Sequence, residues 1–213
     1  MTDAMDDCDT EEERENVKKN QIFGIEYEDG AFGLSSTNML IHGDGNSNVV
    51  QDSMFKRGKW IQENDINIVL MNPPYNATKK CCDPQYTKDW SANKKEDPSK
   101  GFHFVEWVAR NVSSNCKMAV LLPMQAAIGN NADIKAFKKK MLDHYTLEAV
   151  FSLPNEMFYP GASAVACCMI FDLSQKHERA NRDTFFGFFK DDKFVKRKGL
   201  GRVERTNDEG NSL

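Results

Sequence analysis

Residues 65–76, DINIVLMNPPYN, decide how the rest of the chain is read. Ile66, Ile68, Val69, Leu70 and Met71 make a short, nearly continuous aliphatic run that stops at two prolines. A run of that length and content predicts a buried strand of a parallel sheet. The prolines end it, because proline has no N–H to give to a ladder. Strand termination accounts for Pro73 and Pro74. It does not account for an amide just before them, Asn72, or an aromatic just after, Tyr75.

Working outward, strand and helix patterns alternate. Towards the N-terminus, QIFGIEYE (21–28) and SNVVQDSMF (47–55) read as strands. FGLSSTNMLIHG (32–43) reads as a helix with Phe32, Met39 and Leu40 on one face, stopping at Gly43. Beyond the prolines lies a polar stretch, 76–100, long enough to predict a functional or mobile loop. FHFVEWVARNV (102–112) follows as an amphipathic helix, with Phe104, Val105, Val108 and Val112 on one side. KMAVLLP (117–123) is a buried strand. NADIKAFKKKMLDHY (131–145) gathers Ile134, Phe137, Met141 and Tyr145 on one helical face. LEAVFSLP (147–154) and AVACCMIFDL (164–173) are the last strands, and the sequence turns polar after Asp172. This order favours an α/β fold, a mainly parallel sheet with helices on both faces. In such sheets ligands sit beyond the carboxyl ends of the strands. Glu26, Asp52, Asn72–Tyr75, Leu122 and Pro123 are placed there.

Three regions are expected: an acidic segment 1–20, forming a frayed tail or an exposed helix, a folded but partial α/β domain 21–175, and a polar extension 176–213. No apolar run is long enough for a bilayer, and the acidic start is the opposite of a secretory signal. A cytoplasmic location is therefore expected. Cys8, Cys81, Cys82, Cys116, Cys167 and Cys168 form no C-x-x-C, which argues for reduced thiols and no metal. His42, His103, His144 and His177 show no ligand spacing. Net charge is −4, and the clusters Lys79-Lys80, Lys138–Lys140 and Lys196–Lys198 read first as solvated surface. For a nucleic-acid partner, much of the phosphate grip is expected from elsewhere.

An exocyclic amine such as adenine N6 is a poor nucleophile, because its lone pair is delocalised into the ring. Two acceptors aimed at its two hydrogens favour a tetrahedral nitrogen and free that pair. The Asn72 side-chain oxygen can be one and the Pro73 carbonyl the other. Proline stiffness preorganises both, and Tyr75 can stack on a base flipped from a helix. No acid, thiol or metal is required.

NIVLMNPPYN resembles motif IV of the methyltransferases that act on amino groups of DNA adenine. Its ordered companions are FGIEYEDGAFGLSSTNMLIHG, MAVLLP and LEAVFSLPNEMFYPGASAVACCMIFDL. Together they resemble the modification (M) subunit of type I restriction–modification systems over about residues 21–205. The resemblance implies a Rossmann-like, S-adenosylmethionine-dependent methyltransferase sheet. It implies a catalytic turn at Asn72, Pro73, Pro74 and Tyr75, and a second aromatic against the base at Phe158. Donor contacts are implied at Glu26 (ribose hydroxyls), Tyr27 (packing on the donor adenine) and Asp52 (its amino group). Each acid alone could equally be an ordinary strand-end carboxylate, and Phe158 alone reads as core. The implied partners are DNA and the specificity and restriction subunits, the former of which supplies the recognised sequence in the resembling systems.

The chain departs from the family in one large respect. No strand followed by a glycine-rich donor turn precedes Ile22. HGDGN follows a helix and KGLGR lies near the C-terminus, and neither suits a donor loop. The sheet is therefore expected to be incomplete, lacking its first strand, which in the family lies between the strands ending at Glu26 and Asn72. Those strands should present bare edges. A truncated chain, weak in donor binding and inactive alone, is the corresponding expectation. Two other readings fit the same turn. One is methylation of RNA guanine or a protein glutamine amide, and the other is a non-catalytic assembly module. A plain nucleotide-binding Rossmann domain is disfavoured by the missing phosphate loop.

Overall fold

The computed structural model describes residues 2–43, 48–159, 164–178, 181–189 and 191–206. The run 207–213 and the Pro160-Gly161 part of the Phe158 segment lie outside these residues, as does most of HGDGN. The chain divides into two compact units, Met1–Trp60 and Ile61–Leu213.

In the first unit, α1 (Thr2–Asp6) and α2 (Glu11–Asn20) precede β1 (Phe23–Glu26), α3 (Asp29–Ile41) and β2 (Asn48–Gln51). Of the two expectations for the acidic start, the helix is the one found. Thr10 and Glu13 form a reciprocal capping box that satisfies end N–H groups. Acids in the first turn and lysines in the last suit the helix dipole. The helix is also docked: Asn48 Nδ2 donates to the Lys18 and Lys19 carbonyls at its end. β1 and β2 pair in parallel, Glu26 opposite Gln51. α3 packs on both strands, yet none of its residues is buried. The face expected from Phe32, Met39 and Leu40 is only partly realised, since Leu40 is 64% exposed beside Ile41 at 74%. Two strands offer too little surface to cover an apolar helix.

After α4 (Gly58–Glu63) come β3 (Ile68–Met71), α5 (Pro84–Thr87), α6 (Phe102–Ala109) and β4 (Lys117–Pro123). Then follow α7 (Met124–Ile128), α8 (Ala132–His144), β5 (Thr146–Ser152), β6 (Ala166–Asp172), β7 (Phe185–Phe188), β8 (Phe194–Arg197) and β9 (Gly201–Glu204). Five strands form one sheet in the order β3-β4-β6-β5-β7, while β8 and β9 make a separate hairpin. The mainly parallel expectation holds for four of the five strands, since β3, β4, β5 and β7 run the same way and only β6 is reversed. β3 with β4 and β5 with β7 are parallel, but β6 runs antiparallel to both its neighbours. β6 follows β5 directly and inserts between it and β4, so the chain must reverse. That reversal leaves residues 153–159, which follow β5, at the sheet end where β3 and β4 finish.

Strand alternation sends Met118, Val120 and Leu122 of β4 to one face with Cys167, Met169 and Phe171 of β6, all buried. α6 packs on β4 and on α8, and α8 on β5. α6 is not amphipathic in the expected sense: His103 and Glu106 are buried with its apolar residues. The strand that seemed clearest in sequence, β3, is an edge strand with Ile68 68% and Leu70 83% exposed. β1, in the two-stranded sheet of the first unit, is likewise a sheet edge. Three strands follow Asp172 where the sequence suggested only polar extension. β7 was hidden because Phe185, Phe186 and Phe188 are all exposed, and β8 and β9 because they carry many charges.

Candidate active site

The corner at the end of β3 has two sides. Pro73 is buried, while Asn72 and Pro74 are exposed. Among the described residues no hydrogen bond engages the Asn72 side chain or the Pro73 carbonyl, so both acceptors are available to a ligand.

What holds the corner is invisible in its own sequence. Gly101, at φ +95°, lies so close that a side chain there would meet Leu122 Cδ2 at 3.0 Å and Pro73 Cγ at 3.3 Å. Glycine is needed both for that conformation and for the approach. Gly101 is fixed in turn by Asp97, whose side chain has no exposed surface. Asp97 Oδ2 accepts from Gly101 N at 2.7 Å and lies 3.2 Å from His103 Nδ1. Oδ1 accepts from Ser99 N at 2.8 Å, Ser99 Oγ at 2.7 Å and the Tyr86 hydroxyl at 3.0 Å. Burial alone would raise the Asp97 carboxyl, but donation from His103, Gly101 and Ser99 outweighs it and holds the group below its ordinary value. Tyr86 stacks on His103, ring centroids 4.4 Å apart. The polar stretch 76–100 is therefore anchored at its far end. Asp97 N also donates to the Ala77 carbonyl (2.9 Å), Thr78 pairs with Glu96, and Lys100 Nζ reaches Asn76 Oδ1 at 2.6 Å. Sequence reading missed Asp97 and Gly101. The available signal was an Asp-x-Ser-x-Gly run capping the next helix.

Tyr75 and Phe158, 83 positions apart, are brought together, with centroids 6.3 Å apart and planes at 73°. They form a right-angled aromatic corner. The Tyr75 hydroxyl is buried with no hydrogen-bond partner among the described residues. Burial pushes it up to about 12, so it stays a neutral phenol at physiological pH.

In the first unit, Glu26 and Asp52 lie together at the carboxyl ends of β1 and β2, tied by Asp52 N donating to the Glu26 carbonyl at 3.0 Å. Glu26 Oε1 accepts from the backbone N–H of Tyr27 (2.8 Å) and Glu28 (2.9 Å). Tyr27 is 54% exposed. Asp52 accepts from Ser53 N at 2.7 Å and pairs with Arg57 Nε at 2.8 Å; these contacts hold its carboxyl below the ordinary value. Two carboxylates that only accept, beside an exposed ring, suit a ligand with hydroxyl and amine donors. Among the described residues no group of His, Cys, Asp and Glu could hold a metal ion. No described helix is long and apolar enough to cross a membrane.

Parallel strands alternating with helices, with the amide–proline corner at the carboxyl end of β3, make this a Rossmann-like α/β fold. The sequence profile of N-6 DNA methylases matches residues 5–204, and the chain belongs to that family. It is 29% identical over 211 residues to the type II restriction enzyme and methyltransferase RM.BcgI of Heyndrickxia coagulans, covering 99% of this chain and 31% of that protein. It is 23% identical over 143 residues to the type I restriction enzyme EcoEI methylase subunit of Escherichia coli, covering 67% and 28%. The chain thus spans about a third of these relatives. Its fold is similar to a modification subunit ascribed to a type I restriction enzyme of Vibrio vulnificus YJ016 (TM-score 0.69, 17% identity, 99% of this chain and 44% of that one). It is also similar to a type I methyltransferase subunit of Streptococcus thermophilus (TM-score 0.59, 23% identity, 88% and 40%).

Proposed function

We propose that this chain is the base-handling part of a site-specific DNA methyltransferase that transfers a methyl group from S-adenosylmethionine to adenine N6 within a restriction–modification system. Its partners are DNA and the specificity and restriction subunits of that system. The observation that carries the reading is the corner itself. Asn72 is exposed, the Pro73 carbonyl has no hydrogen-bond partner among the described residues, and Tyr75, two positions on, meets Phe158 edge to face; Gly101 packs against the same turn at Pro73.

The target adenine, turned out of its duplex, lies against Tyr75 with Phe158 at its side. Asn72 Oδ1 and the Pro73 carbonyl accept the two N6 hydrogens. The nitrogen becomes tetrahedral and its lone pair points at the incoming carbon. As the new N–C bond forms, the electron pair of the breaking S–C bond stays on sulfur, and one N6 proton passes to solvent. S-adenosylmethionine supplies an electrophilic methyl on a sulfonium that leaves as a neutral thioether. Glu26 would accept from its ribose hydroxyls, Asp52 from its adenine amine, and Tyr27 would cover that ring. The rigidity of the corner matters because acceptors fixed in place need no reorganisation as charge develops.

The test is genetic and uses whatever assembly the cell provides. Asn72→Ala, introduced at the encoding locus, should lower N6-methyladenine at one recognition sequence by at least about 100-fold, in line with loss of a preorganised hydrogen-bonding group. Long-read sequencing of the genome measures it. An unchanged pattern, or a loss of RNA or protein-glutamine methylation instead, would refute the reading.

A further inference from the structure

The chain has net charge −4, yet residues 193–205 hold six basic residues, Lys193, Lys196, Arg197, Lys198, Arg202 and Arg205, against one acid, Glu204. They fold into the β8–β9 hairpin, Phe194 opposite Glu204 and Arg197 opposite Gly201. The register gives the hairpin two faces. Lys196 and Arg202 share one, and this face touches the turn that carries Phe158. Lys196 Nζ pairs with Glu156 at 3.0 Å and sits over the Tyr159 ring at 4.3 Å. Arg202 Nη1 lies 3.6 Å from Met157 Sδ and is held by Asp192. These two cations are used inside the molecule, gripping the residues on either side of Phe158.

The tip is different. Arg197 and Lys198 are exposed and make no ion pair among the described residues. The turn beyond them places Leu200 between Gly199 (φ +79°) and Gly201 (φ +83°), with 73% of it exposed. Two unpaired cations and an apolar side chain on a projecting turn match a surface of phosphates bordering a groove of base edges. An acidic protein surface would satisfy the cations and leave the leucine unused.

We infer that the β8–β9 hairpin is a nucleic-acid-gripping finger. Arg197 and Lys198 bind backbone phosphates next to the base held at Tyr75 and Phe158, and Leu200 enters the adjoining groove. The inference rests on the base-pocket reading above for its location.

The full chain is titrated, by fluorescence anisotropy at several NaCl concentrations, into a duplex of about 20 base pairs carrying 2-aminopurine opposite an abasic site, a base that leaves the stack without sequence recognition. Arg197→Ala/Lys198→Ala should weaken binding on the order of 10-fold and flatten the log–log salt slope by roughly 2, one step per phosphate lost. Leu200→Ala should weaken binding without changing the slope. Lys135→Ala/Lys139→Ala, exposed on α8 with the same charge change elsewhere, should do neither. Equal loss in that control, no effect of the tip variants, or no duplex binding by the unaltered chain overturns the inference. The two readings separate on the 2-aminopurine signal at saturating protein. Tyr75→Ala should abolish the fluorescence change while the tip variants keep it. If Tyr75→Ala keeps the change but the tip variants weaken binding, the base pocket fails and the finger stands. The reverse pattern fails the finger alone.

Discussion

The two units of this molecule solve the same folding problem with very different success. In residues 61–213 a five-stranded sheet buries Met118, Val120, Leu122, Cys167, Met169 and Phe171. In residues 1–60 a two-stranded parallel sheet carries a 13-residue helix with no buried residue, and Val17 is the one buried hydrophobic residue among those described. The Asn72–Tyr75 corner belongs to the first kind of structure and the acidic strand ends, Glu26 and Asp52, to the second. Two strands are at the lower limit of what holds together in water. The role proposed for the corner, holding two oxygen acceptors in fixed positions, calls for the larger sheet.

The largest effect should appear in amide hydrogen exchange. β4 and β6 should exchange at least two orders of magnitude more slowly than β1 and β2, because opening of the small sheet exposes so little apolar surface. Matching protection in the two sheets would break the comparison. The next effect sharpens it by substitution. Phe171→Ala removes a ring with 1% exposure and should cost about 3–5 kcal/mol, whereas Leu40→Ala on the exposed side of α3 should stay within about 0.5 kcal/mol; chemical denaturation of both variants measures the gap. The smallest effect concerns what clamps the corner. The folded carboxyl of Asp97 sits below its unfolded value. Its contribution is therefore complete above the ordinary carboxylate range and is lost as pH falls through that range towards the folded value. Asp97→Asn should flatten that acid limb and cost roughly 1–3 kcal/mol near neutrality. An unaltered acid limb would mean the buried knot does not stabilise the corner.

Much of the second unit was legible in the sequence. The aliphatic runs of β4, β5 and β6 and the helix of 132–144 read directly, because burial on one face leaves a periodic signature, whereas β3 read as a strand from its aliphatic content although none of its residues is buried. The sequence also singled out the Asn72–Tyr75 corner, because strand termination accounts for its prolines but not for the amide and the aromatic around them. The direction of β6 did not. Nothing in AVACCMIFDL states which neighbours it will take, and the mixed sheet follows from where the chain can reverse after β5. β7, β8 and β9 escaped because their phenylalanines and cations stand in solvent and leave no core-facing pattern. Asp97 escaped for the opposite reason: it is a charged residue at zero exposure, against the rule by which polar stretches are read as surface.

By itself, the sequence determined the chemistry available at the end of β3: two oxygen acceptors on a stiff backbone with an aromatic beside them, a property of four consecutive residues. The tertiary structure decided that Phe158 would join Tyr75, that Gly101 and Asp97 would hold Pro73 from behind, and that a basic hairpin would grip the turn carrying Phe158. Those pairings span tens of residues and depend on strand order and on the antiparallel return of β6. Local sequence encodes conformation, but contact between distant segments is selected only by the joint packing of the whole sheet.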